Sequence, residues 1–262
     1  MKRLAFRMFG DLYFSGHDGA STHIVDTGDG LLLFDTGYPS DVSALVADME
    51  ALSLNIQDLR WIMHTHGHID HMGGTKALTR LSGAKTYIGA PDADAAAGRR
   101  PLSFAEELGM TYDTAFEPDV LLSDGDRLTF GNTEVLCVAT PGHTEGAFSY
   151  FFPVTDKKRG ITLRVGLHGG MGVNSMAGWY LDKHHLPYSL RDDFLAAMDR
   201  LNREHVDIFL ANHMAYNQTA QKYLKLLDGD EDAFVGSGEW KANNLWYKSN
   251  LVKMISDEAQ SK

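Results

Sequence analysis

Apolar positions in the first half of the chain follow two rhythms, strand alternation and helix spacing. Residues 4–14 alternate loosely and read as one opening strand. Thr22–Asp26 and Leu31–Phe34 flank Thr27-Gly28-Asp29-Gly30, a turn sequence, and so predict a hairpin. Ser40 is a candidate N-cap, and Val42, Leu45, Val46 and Met49 then fall at i, i+3, i+4, i+7, one apolar helix face. Arg60–Met63 reads as a buried strand. Met72–Leu78 opens a helix running to about Leu81 and stopped by Gly83. Lys85–Ile88 predicts a short strand and Pro91–Gly98 an alanine-rich helix. Residues 99–118 read as a surface insertion with one amphipathic turn at Phe104–Leu108.

The second half returns to strands. Val120–Leu122, Arg127–Phe130 and Thr133–Ala139 are separated by Asp124-Gly125-Asp126 and Gly131-Asn132, both turn signals. Ala147–Phe152 and Ile161–Leu167 are expected to pair across the turn Asp156–Gly160, and Val206–Leu210 is the last strand. Ser189–Arg203 is helical, with Phe194, Leu195, Met198 and Leu201 on one side. Residues 218–227 and 239–257 are helical too, around the acidic loop Asp228–Asp232. Two strand-rich halves, with helices between and outside them, imply an α/β fold of two sheets face to face. No linker, low-complexity tract or fixed-period repeat interrupts the 262 residues, so residues 1–262 are expected to form one domain.

Composition narrows the function. A hydrophobic fraction of 44% is ample for a core, and a formal charge of −11 with no basic stripe disfavours a nucleic-acid partner. The single cysteine, Cys137, excludes an internal disulfide and sits in the apolar run Val135–Ala139, where a small core residue is expected. The basic start Met1–Arg7 is broken by Arg7, Gly10 and Asp11 before it reaches signal-peptide length, and no stretch is long enough to span a bilayer. The expected location is cytoplasmic, without membrane contact; a removed leader would make it periplasmic or secreted. The sequence does not fix an oligomeric state.

The chemistry concentrates in His64-Thr65-His66-Gly67-His68-Ile69-Asp70-His71, four imidazoles and a carboxylate in eight residues. Ionisable groups at this density are costly to bury and repel once charged, and a cation resolves both problems. The stretch lies between a strand end and a helix start. His66 and His68 are two apart, so an extended backbone points both the same way, while Asp70 and His71 diverge and can serve a second centre. Imidazole and carboxylate are ligands that zinc accepts. The competing reading is a solvated polar loop.

The string His66-x-His68-x-Asp70-His71 resembles the signature of the metallo-β-lactamase superfamily of hydrolases. The resemblance implies an αββα sandwich from about residue 20 onward. Pro141-Gly142-His143-Thr144 matches the family's next motif, which makes His143 the third ligand beside His66 and His68 and leaves an open position for water. His213, at the end of Ile208–His213, matches the family's last metal histidine and would join Asp70 and His71 at a second zinc. Asp35 corresponds to an Asp that supports the metal loop, or forms an Asx-turn; Asn212 either hydrogen-bonds within the site or starts a turn.

Many superfamily members place a bridging Asp after the strand matching Ile161–Leu167, but here His168-Gly169-Gly170 follows, with no carboxylate. The third subclass of metallo-β-lactamases also lacks that Asp, and the resemblance is closest to it; Leu54–His71 and Phe234-Val235…Trp240 add to the likeness. His168 is open between a proton donor, a substrate contact and a strand cap. The loop 169–188 offers Trp179 and Tyr180 as a substrate rim or as packing against a helix, and His184-His185 reads as a solvated face. The resemblance implies two Zn2+ per chain, about 3.5–4 Å apart, sharing a hydroxide that attacks a carbonyl and is oriented by Asp70. The expected substrate is a small molecule, a β-lactam-like cyclic amide, with lactone or ester as the alternative and a phosphodiester behind them. Iron redox members usually carry Glu where His68 stands, and a non-catalytic role would not preserve six ligand positions.

Overall fold

The computed structural model describes residues 3–260; Met1 and Lys2 of the basic N-terminal run, and Ser261 and Lys262 of the expected domain, lie outside the described residues. The expected opening strand is two, β1 (Leu4–Phe9) and β2 (Leu12–His17), because Gly10 turns the chain at φ 53° and the strands pair antiparallel. β3 (Ala20–Asp26) and β4 (Leu31–Phe34) form the expected hairpin, with Asp26 opposite Leu31. β5 (Leu59–Met63), β6 (Lys85–Gly89) and β7 (Val120–Leu122) then add in parallel, completing a sheet of seven described strands in chain order. In the second sheet β8 (Arg127–Phe130), β9 (Thr133–Ala139), β10 (Phe148–Asp156) and β11 (Ile161–Leu167) are antiparallel, and β12 (Ile208–Leu210) joins β11 in parallel.

The sheets face each other across an apolar layer in which Phe34 stacks on Phe152 at 4.8 Å and lies 5.3 Å from Tyr150. Helices cover both outer faces. Leu45 and Met49 of α1 (Val42–Ala51) and Leu78 pack on Ile24, Leu33 and Ile62. On the other side Phe194, Met198 and Leu201 of a helix at Ser189–Leu201 and Trp240 and Leu251 of one at Ser237–Gln260 pack on Phe151 and Phe209. This is the αββα layering, each sheet burying one face on its partner and the other under helices. Cys137 is buried in the central layer, as its apolar run implies.

Local boundaries differ from the pattern in informative ways. Ser40 is not the N-cap: it lies in a 3₁₀ turn, Pro39–Asp41, and Asp41 precedes α1. The helix expected from Met72 is divided into α2 (Ile69–Met72) and α3 (Thr75–Ser82), because Gly73 and Gly74 pack so closely on Pro39 and Thr36 that a side chain would not fit. The alanine-rich segment is a 3₁₀ turn, Ala90–Asp92, followed by the single helical turn α4 (Ala93–Ala96). Further helices are α5 (Gly178–Lys183), α6 (Ser189–Leu201), α7 (Thr219–Leu227) and α8 (Ser237–Gln260). Among the described residues no helix is long and apolar enough to cross a membrane.

Candidate metal centre

The site forms where parallel strands end together, the position at which α/β sheets collect functional groups. Phe34 of β4 lies beside Met63 of β5, so Asp35 and Thr65 leave the sheet side by side. Leu167 lies beside Leu210, so the segment ending in Asn212 and His213 leaves the second sheet at the same edge. Asp35 takes a left-handed backbone, φ 59°, a strained conformation that costs of order 1 kcal/mol in a non-glycine residue. In return its carboxylate reaches across: Oδ1 accepts from the Thr65 N–H at 2.7 Å, and Oδ2 from the Thr65 hydroxyl at 2.7 Å and from Asn212 Nδ2 at 3.3 Å.

Six ligand-type side chains from distant segments converge here. The rings of His66, His68 and His143 lie 4.6–4.7 Å apart, and one nitrogen from each falls within 4.8 Å of the others. Beside them, His71 Nε2 is 3.1 Å and His213 Nε2 3.6 Å from Asp70 Oδ2, and the His71 and His213 rings are 5.2 Å apart. The fit to metal rests on the nitrogens left over. His66 Nε2 and His68 Nε2 are buried with no hydrogen-bond partner. His143 Nδ1 donates to the Gly172 carbonyl at 2.6 Å, which leaves its Nε2 lone pair toward the cluster, and His71 Nδ1 donates to Asp35 Oδ2 at 3.0 Å, which turns its Nε2 toward Asp70. Orphaned buried acceptors of this kind are costly unless a cation or water meets them.

The titration pattern has the same cause. Burial and neighbouring imidazoles hold His66 and His68 well below the ordinary histidine range and bring His143 and His213 down to about 4. Burial also opposes charge on His71, but Asp70 and Asp35 outweigh it and lift that imidazole to about 10. Asp70, against its own burial, is held well below the usual carboxylate range by His71 and His213. Neutral imidazoles at His66, His68, His143 and His213 around an ionised Asp70 are the protonation states a divalent cation binds, and at His71 a cation would displace the extra proton that Asp70 and Asp35 hold there.

The remaining expected residues are less central. Asn212 lines the cavity and donates to the Thr65 hydroxyl at 2.9 Å, so it acts within the site rather than starting a turn. His168 is fully buried against Trp240, ring to ring 5.7 Å, its Nδ1 accepting from the Gly170 N–H at 3.2 Å, and it is not among the residues that line the cavity. Trp179 is exposed and borders a separate groove of about 690 Å³ with Tyr188 and Met254, which shares no lining residue with the cavity over the imidazoles. Tyr180 is buried behind the wall, 5.3 Å from Phe104. His184 is no solvated face: its side chain is 4% exposed and its Nε2 lies 2.8 Å from Glu107 Oε1.

The rim falls instead to Tyr38, Phe104, Leu108, Met171 and Tyr216, which surround a cavity of about 280 Å³ over the imidazoles. His64, counted in the original cluster, turns away and is tied to the Tyr87 carbonyl at 2.9 Å and the Thr75 hydroxyl at 2.7 Å. Sequence reasoning missed Asp92. Its buried carboxylate accepts from the Gly67 N–H at 2.7 Å, the Thr144 hydroxyl at 2.6 Å and the Gly146 N–H at 2.8 Å, locking the two ligand loops together. The two aspartates, Asp92 and Asp94, in an otherwise alanine-rich stretch were the available signal.

An αββα sandwich with these six side chains at one sheet edge defines the scaffold of a metal-dependent hydrolase. Comparison with known proteins makes the assignment specific. The metallo-beta-lactamase superfamily description matches residues 16–156, and the chain belongs to that superfamily. It is 32% identical over 127 residues to a hydroxyacylglutathione hydrolase of Anaeromyxobacter dehalogenans, a match spanning 48% of this chain and 39% of that one. Among solved structures it superposes on BJP-1, a subclass B3 metallo-beta-lactamase of Bradyrhizobium japonicum, with TM-score 0.86 and 23% identity over 98% of this chain and 95% of that one. On Rm3 metallo-beta-lactamase the TM-score is 0.87 with 26% identity, over 98% and 96% of the two chains.

Proposed function

We propose that this protein is a zinc-dependent hydrolase that cleaves a carbonyl–heteroatom bond in a small molecule, a cyclic amide of the β-lactam kind or the ester of a related lactone. The observation that carries the reading is the pair of buried, partnerless nitrogens on His66 and His68 among six converging ligand-type side chains. His66, His68 and His143 would hold one zinc and Asp70, His71 and His213 a second. Bound zinc supplies Lewis-acid polarisation of a carbonyl and a water acidic enough to attack near neutral pH.

The chain's own groups do the rest. Asp35 keeps the His71 proton on Nδ1 and anchors the Thr65 backbone. Asp70 is an ionised acceptor beside the reacting centre, suited to orient the attacking water. Tyr38 lines the same cavity; burial and the charges of Asp70 and Asp41 raise its phenol to about 12, so it stays an O–H donor. Phe104 covers His68 at 5.1 Å and restricts water.

The hydroxyacylglutathione hydrolase relative supports a second reading, a thioester substrate, because its name specifies that reaction for that protein. A phosphodiester is disfavoured by the acidic charge and by the absence of a carboxylate where β11 ends. Metal analysis with a panel of β-lactams, lactones, thioesters and phosphodiesters tests the assignment. Zinc near two per chain and turnover of a carbonyl substrate are expected. His66→Ala and His143→Ala should each lose more than about 100-fold in kcat/KM together with zinc, beyond the losses typical of residues behind the ligands. Full turnover in either variant would remove these histidines from the mechanism.

A further inference from the structure

The walls of the cavity carry information about what it admits. Tyr38, Phe104, Leu108, Met171 and Tyr216 give it an aromatic and aliphatic surface, and among the described residues that line it there is no lysine or arginine. Cations on the bordering segments are already engaged. Arg3 is held by Asp48 at 2.5 Å, Arg100 by Glu145 at 2.7 Å and Lys183 by Glu107 at 2.7 Å. What the wall does offer is neutral donors, such as the Tyr38 phenol, and acceptors. Asn212 presents a buried Oδ1 without a partner, and its orientation is fixed because Nδ2 donates to the Thr65 hydroxyl. Asp70 adds a carboxylate at the floor.

A carboxylate attached beside the scissile bond would lie against this surface. Against the side walls, out of reach of zinc on the floor, it would give up hydration without gaining the cationic fork or ammonium that normally recognises it. An uncharged alkyl or aryl group in the same place loses nothing polar and buries apolar area. Deepening the hydrolase reading and resting on it, we propose that the cavity selects uncharged carbonyl compounds, apolar esters or lactones, over those carrying a carboxylate next to the bond to be broken. In the reaction, water oxygen bonds to the acyl carbon and the acyl carbon–oxygen bond breaks. One water proton passes to the departing alcohol oxygen and the other to solvent as the acid ionises.

The test separates selection from turnover. Calorimetric titration of the zinc-loaded protein with benzyl mercaptan and with para-(mercaptomethyl)benzoate compares two thiols of similar shape that differ in one carboxylate. The uncharged thiol is expected to bind at least about tenfold tighter. Leu108→Arg, at an exposed rim position, should narrow that gap several-fold by supplying the missing cation. Equal or tighter binding of the benzoate, or no binding of either thiol, would overturn the proposal. The same contrast is expected in kcat/KM between an alkyl lactone and its ring-carboxylate analogue. A clear thiol preference without hydrolysis of any carbonyl compound would support the selectivity and sink the hydrolase reading instead.

Discussion

Asp92 takes hydrogen bonds from the loop bearing His66 and His68 and from the loop after His143, so one side chain sets the distance between them. Burial is the largest influence on its acidity and pushes it up to about 6, against three donors that favour the charge. The folded value lies above the ordinary 3.8, so the stabilisation is complete below that pH and is lost as pH rises through about 6. In the metal-free protein the unfolding free energy of the native sequence, compared with Asp92→Asn, should therefore fall by about 1.4 kcal/mol between pH 5 and 7.5. Urea melts at both pH values measure it, and parallel pH profiles would remove Asp92 from the titration. The variant should also be offset downward by about 1–3 kcal/mol, because its amide N–H₂ must face a donor where a carboxylate oxygen accepted. At this scale the ligand types were readable from the spacing of His66 and His68, two apart just beyond the end of β5. Asp92 was not, because its partners come from loops 25 and 52 residues away.

Strands and turns follow their local patterns, and the rim follows tertiary contacts. Thr27–Gly30 closes a hairpin because its glycines take positive φ, 78° and 128°, which the composition of the turn announces. The 99–118 segment has no such periodicity. It is ordered by what it touches: Phe104 on His68 and Tyr180, and Glu107 on Lys183 at 2.7 Å and His184 at 2.8 Å. Trp179 and Tyr180 looked like a rim because they are aromatic and near glycines, yet α5 turns one outward and the other inward. The Glu107 pairing bolts Leu108 and Phe104 to α5 and thereby fixes the mouth of the cavity. Glu107→Ala should raise KM by about 3–10-fold while kcat stays within about twofold, the pattern of lost uniform binding. A drop in kcat at constant KM would show that the rim shapes the reacting geometry and not merely the entrance.

Across the whole molecule, the face-to-face sheets were legible because each half repeats strand patterns bounded by turn signals, while the order of strands within each sheet depends on contacts no local window contains. The parallel joins of β4 to β5 and β11 to β12 bring the segment bearing His66–His71 and the one bearing His213 to the edge where His143 follows β9, so metal and fold are thermodynamically linked. Without a cation the cluster stores unfavourable terms: partnerless nitrogens on His66 and His68, and imidazoles at His143 and His213 that resist protonation down to about 4. A ligand that binds only the folded state adds RT ln(1 + [L]/Kd), about 4 kcal/mol at a thousandfold excess over Kd. For a chain of this size that corresponds to a Tm shift of about 8–12 °C. Chelation of the zinc-loaded protein should lower Tm by that amount, and re-addition of zinc should restore it. In His66→Ala, where one ligand of the first zinc is gone, chelation should move Tm by clearly less than in the native protein. A native protein whose melting ignores both chelator and zinc would show that the six side chains meet without binding a cation, and the hydrolytic reading would lose its physical basis.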